Sequence, residues 1–180
     1  MNLVLLYGAE AVGKYTVGRE LARITDLRLF PNHVTLNAAL HFYSFDEAEL
    51  FDLSWKLRFS AIEFALCHNV PGVILTWAYA RPHSVRHWSA LMEFCATRSI
   101  RLLPVHLHCT RAELLKRVDA PRRAASGKIS SPAQLQRFLD DHDYAELPGI
   151  FSLDIDNTKV EAGAAARIIC DAYVLSGECR

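Results

Sequence analysis

The stretch from Asn2 to Arg23, NLVLLYGAEAVGKYTVGRELAR, constrains this chain more than any other. LVLLY has the length and composition of a buried strand, and Val17, Leu21 and Ile24, spaced i, i+4, i+7, give a following helix one apolar face. Between them Gly8 and Gly13 bracket Ala9, Glu10, Ala11 and Val12, and Lys14 comes next. A loop with glycine at both ends can curl so that successive backbone N–H groups point at one anion, and the helix after it adds a partial positive N-terminus. Lys14 supplies a full charge for terminal phosphates. The hydroxyl of Thr16, one place later than in the usual Gly-Lys-Ser/Thr pattern, can ligate Mg²⁺ directly or through water. Gly8 through Thr16 are therefore expected to hold the phosphates of a nucleotide. Two residues depart from the pattern: Tyr15 directly follows the lysine, and Glu10 puts a carboxylate into a loop meant for anions. Glu10 is either outward-facing or a member of the Mg²⁺ shell.

A length of 180 residues suits one domain with a substantial core, and 51% hydrophobic against 22% charged residues is a globular composition. No segment approaches the ~18 to 20 uninterrupted apolar residues of a membrane span. The strand starts at the N-terminus with no basic or cleavage signature ahead of it, so no secretory signal is expected. The five cysteines are scattered and never form C-x-x-C, which suits a reducing cytoplasm. Formal net charge is zero, so no global field recruits nucleic acid. Among the eight histidines, His83 and His87 would share a helix face, and His106 and His108 a strand face. No acidic or thiolate ligand accompanies either pair at zinc-like spacing, which favours ordinary surface or hydrogen-bonded histidines.

Further along, Leu27 to Phe30 reads as a second strand closed by Pro31, Asn32 and His33, polar residues at the end where parallel sheets bind ligands. Ser44 and Glu47 form a capping box for a long helix through Leu50, Leu53, Leu57, Ile62 and Leu66. Arg58 lies within it, on a solvated face or in a functional role. Val73 to Ala80 reads as a buried third strand whose end carries Thr76, Trp77 and Tyr79, aromatics that suit a core or a ligand contact. No strand aspartate offers itself to the Mg²⁺ shell. A helix from about Ser84 to Arg98, a strand from Arg101 to Cys109 and a helix capped by Thr110 and Glu113 follow. Lys116 to Ser131 is basic and rich in small residues, which reads as a solvated loop or a closing lid carrying Arg122 and Arg123. Ser131-Pro132 starts another helix ending near the acidic run Asp140, Asp141, His142, Asp143, a solvated terminus more simply than a metal cluster. Phe151 to Ile155 is the fifth strand, and Thr158 with Glu161 caps a last helix running to Gly177. The alternation specifies an α/β fold, a five-stranded parallel sheet with helices on both faces.

GAEAVGKYTVGREL resembles the phosphate loop of small P-loop kinases of the nucleoside monophosphate kinase and shikimate kinase group, in which adenylate kinases also delay the threonine by one place. It is especially similar to bacterial ATP-binding proteins with a GPPAVGK-x-T loop, described as shikimate kinase-like or chloramphenicol phosphotransferase-like. FPNH, VILTWAYA, VHLHCTRAELLKRV with its arginine pair and GKI, and SLDIDNT extend the similarity over most of the chain. The resemblance implies a three-layer P-loop fold in one domain over 1–180, with a lid at about 118–131 and an acceptor region at about 32–70. It implies that Gly8 to Thr16 bind ATP phosphates and Mg²⁺, and that Arg117 lies against adenine or phosphates. Asn157 and Thr158, with Asp156, would border the adenine, and Arg122 and Arg123 would be lid arginines. Asn32, His33, Arg58, Trp77 and Tyr79 become acceptor candidates. Shikimate kinases carry an aspartate near the end of strand two where this chain has Asn32-His33, so shikimate is not the expected acceptor.

The sequence thus points to a cytoplasmic kinase, monomer or homodimer, whose partners are ATP/ADP and a small hydroxyl-bearing acceptor, with no nucleic acid and no membrane. His33 is the candidate base, and Lys14, Arg122 and Arg123 the candidate charge-neutralising groups. The rivals are a P-loop nucleotide hydrolase and a nucleotide-sensing binding protein.

Overall fold

A computed structural model describes residues 1–118 and 131–175. Its five strands are β1 (Asn2–Tyr7), β2 (Arg28–Phe30), β3 (Gly72–Trp77), β4 (Arg101–His108) and β5 (Leu153–Asp156), all paired in parallel in the order β2-β3-β1-β4-β5. The helices among the described residues are α1 (Lys14–Ile24), α2 (Asn32–Ala39), α3 (Ala48–Cys67), α4 (Val85–Thr97), α5 (Arg111–Val118), α6 (Pro132–Asp141) and α7 (Ala162–Tyr173). None is long and apolar enough to cross a membrane.

Central β1 is an unbroken apolar run because both of its faces are covered. Val4 and Leu6 pack with Val17 and Leu21 of α1 and with Ala165 and Ile169 of α7. Leu3, Leu5 and Tyr7 point the other way, into Trp55 and Ile62 of α3 and Trp88 and Leu91 of α4. Two cores thus sandwich the sheet, and β1 delivers Gly8 to the middle of its C-terminal edge.

Several boundaries differ from the sequence reading for local reasons. Pro31-Asn32-His33 is not a strand-end loop: Pro31 is the extended N-cap of α2, and the Asn32 N–H donates to Thr76 Oγ1 at 2.9 Å, seating that helix on the end of β3. The third strand stops at Trp77, and the chain then leaves the sheet to pair Arg81 with Asp143, N–H to carbonyl, at 2.9 Å. Only one arm of the Ser44–Glu47 box forms, the Ser44 N–H donating to the Glu47 carboxylate at 2.8 Å, while Glu47 itself is the N-cap. The expected Thr158 cap is absent because the Thr158 hydroxyl donates to Asp156 at 2.6 Å. The last helix starts at Ala162 after Glu161 and ends at Tyr173, with Val174 left-handed at φ 51°; Gly177 lies outside the described residues. Ser131 caps α6 as expected, accepting from the Gln134 N–H. The acidic run behind α6 serves arginines, Asp140 pairing with Arg111 at 2.5 Å and Asp143 with Arg81 Nε at 2.9 Å.

Candidate nucleotide and acceptor site

Gly8 and Gly13 adopt φ of 135° and 104°, and Ala11 between them 65°, so the backbone turns through conformations that side chains resist. The turn is also pressed against the sheet: a Cβ on Gly8 would lie 2.1 Å from the carbonyl oxygen of Leu107 on β4. Lys14 reaches back over the loop, donating to the carbonyls of Gly8 and Ala9 at 2.7 Å each. Gly13 is the N-cap of α1 and makes no side-chain cap, and the first turn of the helix itself contains no acidic residue. A curled backbone, an uncapped helix N-terminus and an ammonium arched over both form a cradle for an anion. Tyr15 and Thr16 are exposed on the first turn of α1, and the Thr16 hydroxyl is the group beside this cradle suited to Mg²⁺.

The back wall of the loop is built from the residues expected near adenine. Arg117 donates to the carbonyls of Val12 at 3.2 Å, Asn157 at 2.8 Å and Thr158 at 3.4 Å, and is fixed by Glu113 at 2.8 Å. Buried Asn157 donates from Nδ2 to the Val12 carbonyl at 2.6 Å. Thr158 Oγ1 accepts from the Thr110 N–H at 3.1 Å, joining the turns after β4 and β5. Arg117, Asn157 and Thr158 therefore come together behind the loop, and their contacts hold it in shape. Arg122 and Arg123, with nearly all of the expected lid, lie outside the described residues.

Glu10 has a partner the sequence did not reveal. The Tyr144 hydroxyl donates to its carboxylate, and burial followed by the nearby Glu10 charge raises the phenol far above its usual range, keeping it a donor. Tyr144 stands 134 residues from Glu10 with no motif around it, so nothing local could have identified it.

On the other side of β1, α2 and α3 meet over the ends of β2 and β3. His33, half-buried, lies in the first turn of α2 beside Asn32. Arg58 is 2% exposed and reaches from α3 to Asn32 Oδ1 and, at 3.1 Å, to Thr35 Oγ1, which is 2.9 Å from Ser54 Oγ. Its guanidinium lies 4.2 Å over the Trp55 ring, no ion pair among the described residues involves it, and burial lowers its pKa to about 10. Arg58 is thus a buried strut under Asn32, not part of a solvated face. Trp77 and Tyr79 are core residues as placed, Trp77 edge-on to Trp55 at 4.8 Å and Tyr79 edge-on to Trp77 at 5.3 Å. The Tyr79 hydroxyl is buried without a hydrogen-bond partner among the described residues, an orphaned donor at this end of the sheet.

Fold and loop together define a three-layer α/β protein of the P-loop NTPase fold. Comparison with protein-family profiles gives no match, and comparison with curated protein sequences gives none either. Solved structures do match over nearly the whole chain. A candidate kinase from Chloroflexus aurantiacus superposes with a TM-score of 0.71 at 16% identity, covering 96% of each chain. The tunicamycin resistance protein of Deinococcus radiodurans gives 0.67 at 14% identity over 97% of this chain and 96% of that one. The APS kinase of Mycobacterium tuberculosis, in complex with AMPPNP and APS, gives 0.64 at 14% identity over 96% and 97%. At such identities these likenesses establish the shared fold.

Proposed function

We propose that the chain is an ATP-dependent small-molecule kinase that transfers the γ-phosphoryl group of ATP to a hydroxyl-type acceptor. The observation that carries this reading is the anion cradle at Gly8–Thr16, with Lys14 folded over it and α1 opening beneath it. The same architecture in an APS kinase bound to AMPPNP supports ATP as the nucleotide.

Phosphoryl transfer asks the protein for positioning and charge neutralisation more than for covalent chemistry. Loop amides and Lys14 hold the β- and γ-phosphates. Thr16 is the residue placed to hold Mg²⁺, which when bound neutralises charge developing between those phosphates. The acceptor lies at the α2–α3 edge, in the region 32–70, where Asn32 and His33 face the reaction and Arg58 keeps Asn32 in place. His33 takes the proton of the acceptor hydroxyl as the new O–P bond forms and the bond to ADP breaks. Trp77 backs this region, and the orphaned Tyr79 hydroxyl is its candidate for a hydrogen bond to acceptor. Arg117, Asn157 and Thr158 border the adenine, and Arg122 and Arg123 belong to a lid over 118–131. We place the enzyme in the cytoplasm, as a monomer or homodimer acting on ATP/ADP and a metabolite or antibiotic-like compound, without nucleic acid or membrane.

Release of ADP, followed with sugars, nucleosides, aromatic alcohols and antibiotics as acceptors, tests the reading. An acceptor-dependent rate that Lys14→Ala abolishes is expected. Equal ADP release with and without every acceptor would establish a hydrolase, and nucleotide binding without turnover would establish a sensor.

A further inference from the structure

Across β1 from the acceptor edge, β4 and β5 assemble a group of side chains that phosphoryl transfer does not use. His106 and His108 alternate along β4 and so share one face, and Asp154 stands opposite His106 in the β4–β5 register. One carboxylate joins both imidazoles: His106 Nδ1 is 2.8 Å from Asp154 Oδ1, and His108 Nε2 is 2.9 Å from Oδ2. Glu146 adds a second carboxylate, with donor atoms of His106, Glu146 and Asp154 all within 4.8 Å of one another. The framework is fixed. His106 stacks on Tyr7 with centroids 4.9 Å apart, and the Tyr7 hydroxyl donates to Ser152 at 2.9 Å and accepts from the Leu147 N–H at 3.4 Å. The site is also open, since the Asp154 side chain is 53% exposed.

We infer that His106, Glu146 and Asp154 form a binding site for a divalent transition-metal ion of the zinc type, separate from the Mg²⁺ of the phosphate loop, with His108 holding the second oxygen of Asp154. Imidazole nitrogen with carboxylate oxygen is a zinc-type donor set, whereas Mg²⁺ prefers oxygen ligands and keeps its waters. Geometry agrees. Donors bound at about 2.0–2.2 Å and roughly 90–110° apart around one ion sit about 2.8–3.6 Å from each other. The His106–Asp154 separation of 2.8 Å lies at the short end of that range, and the Glu146 donor lies within 4.8 Å of both, so the ion takes the place of the shared proton while the strands stay where they are. Glu146 distinguishes the group from a plain His–Asp pair, because a cation between two neighbouring carboxylates removes their repulsion. Bound there, the ion staples edge strand β5 and the segment 146–152 to β4. Two residues before that segment, Tyr144 holds Glu10 of the phosphate loop.

The test uses untagged full-length protein stripped with a chelator and then loaded with Zn²⁺. One equivalent is expected to stay with the chain through gel filtration, to raise its melting temperature, and to be replaceable by Co²⁺ with a visible spectrum lacking thiolate bands. Glu146→Gln, a surface change that leaves the core intact, is expected to weaken Zn²⁺ binding by at least the roughly tenfold that losing even an outer partner costs. Asp154→Asn and His106→Ala lose it, and Lys14→Ala retains it. Failure to retain Zn²⁺, undiminished binding in Glu146→Gln and Asp154→Asn, thiolate bands in the Co²⁺ spectrum, or loss in Lys14→Ala would each overturn the site.

Discussion

Gly8 has room for nothing larger than hydrogen. With φ at 135° and the Leu107 carbonyl 2.1 Å from any added Cβ, Gly8→Ala must both strain its backbone and push β4 aside. A loss of roughly 2–5 kcal/mol is expected from strain and overpacking together, read as a lower urea midpoint at unchanged m. Glu10 makes the opposite kind of prediction. Its carboxylate, on the loop between Gly8 and Gly13, is held by Tyr144, so if the loop takes phosphate as proposed, Glu10→Gln is expected to tighten ATP binding several-fold by calorimetry. Tyr144→Phe removes the donor instead and is expected to lower the melting temperature, a charged hydrogen bond contributing about 1.5–3 kcal/mol. Weaker ATP binding by Glu10→Gln would show that the carboxylate serves the nucleotide. The glycines and Lys14 were legible in the sequence because the constraint on them is local, set by backbone curvature within a few residues. The role of Glu10 was not, because its partner arrives from across the fold.

At the scale of elements, the five strands and the periodic helices were legible, and helix α2 was not. Helix α2 has only eight residues, and its seating depends on Thr76 and Arg58, residues that no window around Asn32 contains. Likewise, His106 and His108 lacked an acidic companion in sequence because parallel pairing supplies Asp154 from the next strand, 48 and 46 residues away. The packing of α4 on α3 gives a further prediction. His87 is stacked on Trp55 at 5.6 Å and lies 3.1 Å from Asp52, yet burial outweighs the carboxylate and lowers its pKa below the ordinary 6.5. The folded state therefore binds fewer protons than the unfolded state in the window just below pH 6.5, so stability rises with pH there. This contribution is fully present above 6.5 and is lost on acidification through the window. Melting temperatures at pH 7 and pH 5 are expected to differ less in His87→Gln than in the wild type; an equal or larger difference would assign the acid sensitivity to other groups.

For the molecule as a whole, alternating strands and helices specify a parallel sheet with both faces covered, because crossover connections place helices there. The strand order is another matter: β2-β3-β1-β4-β5 depends on which edge each crossover chooses, and hydrophobic periodicity carries no trace of that choice. The order matters because it puts β1 between β3 and β4, so the Gly8–Lys14 loop is flanked by the α2–α3 edge on one side and the His106–Asp154 group on the other. A ligand held by the loop acts on the whole fold, since Val12 is tied through Asn157 and Arg117 to the ends of β5 and α5, and Gly8 abuts β4. Mg·ATP at about 100 times its Kd stabilises a protein that binds it only when folded by about 2.7 kcal/mol. In a chain of this size that corresponds to a rise in melting temperature of roughly 5–11 °C. Lys14→Ala is expected to lose most of this rise, each protein being measured against its own ligand-free melting temperature, which the loss of the Lys14 bonds to Gly8 and Ala9 lowers in the variant. An equal rise in both proteins would place the nucleotide somewhere other than the loop, and the kinase reading would fall with it.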